Sequence, residues 1–180
     1  MKLERQGPNY RKVNEEVTKI LRANFVIAPP VRIEEIAQNY GLKIVEADFK
    51  LYSDNVSGVI DLKTNTIYVN QNEPDVRQAF TIAHELAHYI LHRSELEKDQ
   101  TGKLSVLYRK ALGELNQDPK EKEANCFAAN LLVPAELLEK YKDYNIDTIA
   151  KIFGVSQEVI GYRLQFENGG KQRKNTATRI

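Results

Sequence analysis

Apolar residues recur along this chain with two periods, three to four residues in some stretches and two in others, and the switches between them mark its elements. Val13, Val17, Ile20 and Leu21 form one stripe, so residues 14–24 read as an amphipathic helix that closes before Pro29-Pro30. Residues 33–40 repeat the helical spacing and stop at Gly41, which suits a helix C-terminus, and 43–47 read as a strand. Over 55–70 the period shortens to two: Val56, Gly58 and Ile60 lead into a turn around Lys63-Thr64-Asn65, and Ile67 and Val69 return, the signature of a hairpin. The strand over 66–70 is either an edge that an extended peptide could pair with or a covered structural strand. A long helix follows over 75–92, with Phe80, Ala83, Ala87, Ile90 and Leu91 as its core face.

From 93 to 118 regular signal is sparse, with Val106, Leu107, Leu112 and Leu115 the main apolar positions, and this stretch suits a lid or a wall of a cleft. Ala124, Phe127, Ala128, Leu131 and Leu132 then fall at helical spacing up to Pro134, predicting a buried helix. Residues 147–164 have the cadence of a helix-turn-helix: Ala150 permits close approach, Gly154 marks the turn, Ser156 caps the next helix, and Val159, Ile160 and Leu164 pack it. Its outward positions are expected to be Gln157, Glu158, Gly161, Tyr162, Arg163 and Gln165. Arg163 is the one cation among them, too little to hold a phosphate backbone, so the motif reads as structural or protein-docking.

The chemistry is concentrated in the long helix. All three histidines of the chain, His84, His88 and His92, lie within nine residues, and the first two frame His84-Glu85-Leu86-Ala87-His88. Residues four apart share a helical face, so the two rings can give one nitrogen each to a single zinc ion. Glu85 projects beside them, where it could take a proton from an attacking water and deliver it to a leaving amine. His92 is eight residues beyond His84, about 12 Å along a helix, and cannot join the same ion; it is expected to serve elsewhere. A third ligand must come from another segment, and Glu121 and Glu123 are both candidates. Glu121 shares a face with Asn125, which could orient a ligand by hydrogen bonding, whereas Glu123 lies on a different stripe and reads as an acid favourable to the helix dipole.

Together the segments 79–92 and 121–134 resemble the ImmA/IrrE family of zinc metallopeptidases, which is similar to thermolysin-like, gluzincin-type proteases in its active-site helices. The likeness extends more loosely over residues 10–165. It implies that Glu121 is the third ligand, followed one turn later by Asn125. It also implies a small α+β metallopeptidase fold, with a short antiparallel or mixed sheet beside the metal-binding helix. On that reading residues 1–134 are the metallopeptidase core, 135–168 a helix-turn-helix-like subdomain packed on it, and 169–180 a disordered basic tail. Members of the family act on helix-turn-helix repressors or antitoxins of prophages, mobile elements and stress-response operons. The resemblance therefore implies a zinc endopeptidase with such a partner as substrate. The competing expectation is a regulatory protein that sequesters the partner or binds operator DNA on the same scaffold.

Composition narrows the setting. A chain of 180 residues with 42% hydrophobic content can bury one proper core. The net charge is +1, but the last ten residues carry four cations and no acid, which leaves the preceding 170 at −3 and gives poor support for direct nucleic-acid binding. The single cysteine, Cys126, excludes an internal disulfide and reads as a small core residue. No apolar run reaches membrane-spanning length and no signal peptide opens the sequence, so the cytoplasm is the expected location. An oxyanion donor is harder to find, and the tyrosines Tyr108, Tyr141 and Tyr144 are the candidates.

Overall fold

Helix α1 (Tyr10–Ala23) begins a turn earlier than its apolar stripe requires, because Asn9 caps it: the Asn9 side chain accepts a hydrogen bond from the Lys12 backbone amide at 3.0 Å. In this computed structural model, which describes residues 7–50, 56–97, 105–108 and 118–165, α1 buries Val13, Val17 and Ile20 and lies against a later helix that carries part of the site. Helix α2 (Ile33–Asn39) stops at Tyr40, and Gly41 takes a positive φ of 79° as the sequence predicts.

Four strands form one mixed sheet in the order β1-β3-β2-β4. They are β1 (Lys43–Ala47), β2 (Val56–Asp61), β3 (Thr66–Asn70) and β4 (Ser105–Tyr108). The hairpin is closed by Asp61, whose carboxylate accepts from the Lys63 amide at 2.9 Å and the Thr64 hydroxyl at 2.8 Å, with Asn65 at φ 51°. Strand β3 is parallel to β1 and antiparallel to β2, and β2 is also antiparallel to β4. The strand over 66–70 is therefore interior. Both its sides are paired, and among the described residues the edges are β1 and β4. Strand β4 emerges from the stretch that showed little regularity in sequence, while Leu112 and Leu115 lie outside the described residues.

The metal-motif helix α3 (Asp75–Ala87) packs across β2 and β3 and against α5 (Pro119–Leu132). Its Thr81 packs over Gly58 of β2, where a Cβ would meet Thr81 Cγ2 at 2.4 Å and the Tyr68 carbonyl oxygen at 2.7 Å. The expected single helix over 75–92 is interrupted: His88–His92 form a π-helical turn, after which α4 (Arg93–Leu96) resumes the α form. Turns of this type occur within helices mainly at functional sites.

After α5 come α6 (Ala135–Leu138) and α7 (Ile146–Phe153), the latter capped by Asn145 and ended by Gly154 at φ 65°. Helix α8 runs over 157–165, and the Ser156 hydroxyl lies 3.4 Å from the Val159 amide at its start. Ile149, Phe153, Val159 and Ile160 belong to the same apolar cluster as Val13 of α1, Leu86 of α3 and Phe127 of α5. Arg163, expected to face outward, is instead buried and donates from Nε to the Val133 carbonyl at 2.9 Å. A charged group can be held there because the α5 terminus supplies an acceptor. Cys126 is a buried free thiol. Among the described residues no helix is long and apolar enough to cross a membrane, and residues 169–180 lie outside them.

Candidate metal centre

Two helices build the site. Helix α3 supplies His84, and the π turn that continues it supplies His88, one helical turn on; Glu121 comes from the first turn of α5, whose N-terminus Asp118 caps by accepting from the Lys120 amide. The His84 and His88 Nε2 atoms are 3.0 Å apart. Glu121 places Oε2 3.2 Å from His84 Nε2 and Oε1 3.3 Å from His88 Nε2. Bonds of about 2.0–2.1 Å in a tetrahedral zinc site set ligand atoms about 3.3–3.4 Å apart. The two ring nitrogens, each with one oxygen of the Glu121 carboxylate beside it, thus stand at close to the spacing that ligands of one zinc ion keep.

Their protonation points the same way. His84 Nδ1 is 2.9 Å from Asn125 Oδ1, an acceptor, so the ring carries its proton there and turns the bare Nε2 lone pair toward the other two ligands. Three groups rich in lone pairs then converge, and a proton or a metal ion between them relieves the repulsion. The His84/His88/Glu121 cluster is geometrically fit for zinc. Burial pushes the His88 imidazolium down to about 4, with His84 and His92 adding to the effect against the pull of Glu121. Burial works to raise Glu121, but where His84 and His88 carry protons toward it in place of a metal ion their hydrogen bonds and charge prevail and hold the carboxyl far below the ordinary range.

Glu85 lies behind the cluster with no solvent exposure. Neither of its oxygens has a hydrogen-bond partner of acceptable geometry among the described residues. Burial drives its pKa well above the usual carboxylate value, the Glu121 charge adds to that, and the nearby Ile60 backbone exerts the smallest influence, in the opposite direction. An acid so placed changes protonation readily when a proton source comes within reach.

Sequence reasoning set His92 apart from the metal, and its ring does not join the three converging atoms. It missed what the ring does instead. His92 Nδ1 is 3.1 Å from His88 Nδ1, and its Nε2 donates to Glu123 Oε2 at 2.8 Å. Glu123, expected to act on the helix surface as a dipole partner, is buried and also accepts from the Asn9 backbone amide. The signal available was His92 at i+4 from His88, but its partner arrives from another helix. Among the tyrosines, Tyr141 packs edge-on against Phe153 with centroids 5.7 Å apart, Tyr144 is exposed, and the side chain of Tyr108 lies outside the described residues.

Comparison with known proteins agrees with this geometry. A protein of Bacillus phage phi105, named "Uncharacterized immunity region protein 2", is 30% identical over 101 residues, which are 55% of this chain and 58% of that protein. A solved structure titled "Mycobacterium tuberculosis transcriptional regulator" superposes with a TM-score of 0.62 at 20% identity, over 86% of this chain and 46% of its own. That likeness concerns the fold. The chain therefore spans about half the length of the relatives it matches. The model of the Peptidase_M78 family, the IrrE N-terminal-like domain, matches residues 37–165. With its His84-Glu85-x-x-His88 helix and Glu121 in place, the chain belongs to that family.

Proposed function

We propose that this protein is a zinc-dependent endopeptidase of the cytoplasm that cleaves a helix-turn-helix repressor or antitoxin encoded by a prophage, mobile element or stress-response operon. The observation that carries the reading is the convergence of His84, His88 and Glu121 at the spacing of a metal site, with the fully buried Glu85 carboxylate near enough to feel the Glu121 charge. Similarity to a phage immunity region protein supports the biological setting. His84, His88 and Glu121 hold the metal, and Asn125 orients His84 through its Nδ1 proton. Zinc bound there lowers the pKa of water to about 7 and polarises a carbonyl. Glu85 accepts the proton of the attacking water and returns it to the departing amine nitrogen, a task for which its raised proton affinity suits it. An extended substrate pairs with the outer side of β4, which among the described residues is the sheet edge nearer β2 and contacts α3.

The test is co-expression with the repressor or antitoxin encoded beside the gene, comparing wild type with Glu85→Gln. Partner fragments should appear with the wild type alone, while the variant keeps its zinc. Full derepression by Glu85→Gln without fragments would refute cleavage and establish sequestration.

A further inference from the structure

We propose that His92 and Glu123 are positioning residues for the metal centre: they fix the tautomer and ring plane of His88, so that its Nε2 lone pair is presented to the ion. The inference rests on the zinc-site reading above and assigns work to two residues which that reading leaves idle.

The argument follows the protons from the outside inward. A carboxylate can only accept, and Glu123 uses both oxygens, Oε1 for the Asn9 amide and Oε2 for His92 at 2.8 Å. His92 therefore carries a proton on Nε2. In the neutral ring Nδ1 is then a bare acceptor, and the atom 3.1 Å away is His88 Nδ1. His88 must supply the proton for that contact, which leaves its Nε2 bare and aimed at Glu121 and His84. The opposite ordering would place a proton on His88 Nε2, inside the ligand cluster, where it competes with a metal.

Burial makes this chain of donors and acceptors consequential. His88, His92 and Glu123 are 2%, 4% and 4% exposed, so water has little opportunity to substitute for a missing partner. Helix α5 thus serves both histidine ligands. Asn125 orients His84 directly, and Glu123 orients His88 through the intervening ring of His92. Groups that hold a ligand imidazole in this way are worth about 10–100-fold in metal affinity.

Two measurements test the inference. Long-range proton–nitrogen correlation spectra of zinc-loaded wild type, labelled with nitrogen-15 at histidine, should show His92 protonated on Nε2 and His88 on Nδ1. A His92 proton on Nδ1 overturns the proposal without any mutation. Chelator competition then gives zinc affinity for His92→Phe, which keeps a ring but neither polar atom, and for His92→Gln, which keeps an acceptor and a donor. His92→Phe should bind zinc about 10–100-fold more weakly, with most of the loss recovered in His92→Gln. Unchanged affinity in His92→Phe refutes the positioning role while leaving the metal site intact. Failure of the wild type to bind zinc would instead overturn the site reading, and this inference with it.

Discussion

Gly58→Ala should loosen the junction between the sheet and the metal-bearing helix. The new Cβ would sit 2.4 Å from Thr81 Cγ2 and 2.7 Å from the Tyr68 carbonyl oxygen, whereas ordinary contact begins at 3.4 Å. Relief at the first contact alone requires about 1 Å of separation, and the second partner is backbone, which cannot rotate away. Overpacking of this kind costs about 1–3 kcal/mol, and the backbone contact favours the upper half of that range, about 2–3 kcal/mol. For a chain of this size each kcal/mol lowers Tm by about 2–4 °C, so a fall of about 4–12 °C is expected. The displacement also has a direction. Thr81 lies one turn before His84 and Glu85 on α3, so pushing it away from β2 shifts the site and should weaken zinc binding. Thermal melts of Gly58→Ala, Thr81→Ser and the double variant, with zinc titrations of each, form the assay. Thr81→Ser removes the nearer clash and leaves the carbonyl contact, so the double variant should recover part of the loss. A Tm drop under about 2 °C, or strictly additive effects, would show that helix and sheet separate freely and would refute the reasoning.

Glu121→Gln should abolish stoichiometric zinc binding measured by metal analysis, whereas Asn125→Ala should weaken affinity about 10-fold by freeing the His84 ring; equal affinities in the two variants would contradict this ordering. Glu85→Gln should stabilise the metal-free fold in a pH-dependent way. The Glu85 pKa is raised in the folded state, so its contribution is fully present below the ordinary carboxylate pKa and is lost as pH rises toward the folded value. The Tm advantage of the variant should therefore be absent near pH 4 and grow toward pH 8, and a constant offset across that range would count against the assignment.

The metal motif was legible because both histidines and Glu85 sit on one local helix, where spacing in sequence is spacing in space. Glu121 was less secure: its stripe was readable, but its choice over Glu123 depended on a helix packed from elsewhere in the chain. The burial of Glu123 against His92 was not legible for the same reason, since their contact spans 31 positions and no periodicity encodes it. Strand existence was readable from alternation, but strand order was not. Strand β3 carries the hairpin pattern whichever neighbour it acquires, and its parallel pairing with β1 removed it from the edge. The π turn at His88–His92 had no marker in a run whose apolar spacing continues that of the helix before it. Arg163 looked exposed because its acceptor, the Val133 carbonyl, lies 30 positions away.

Helix α1 gives the domain a boundary that kinship alone would place wrongly. The family match begins at residue 37, yet α1 lies wholly before it, covers α5 with Val13, Val17 and Ile20, and sends the Asn9 amide to Glu123. A fragment cut at the start of the match would lay bare the apolar flank of the helix that bears Glu121. It would also strip Glu123 of the amide that fixes one of its oxygens. The stretch that defines membership of the family is thus smaller than the stretch that must fold together, and Asn9 with α1 belongs to the metal site as much as to the scaffold.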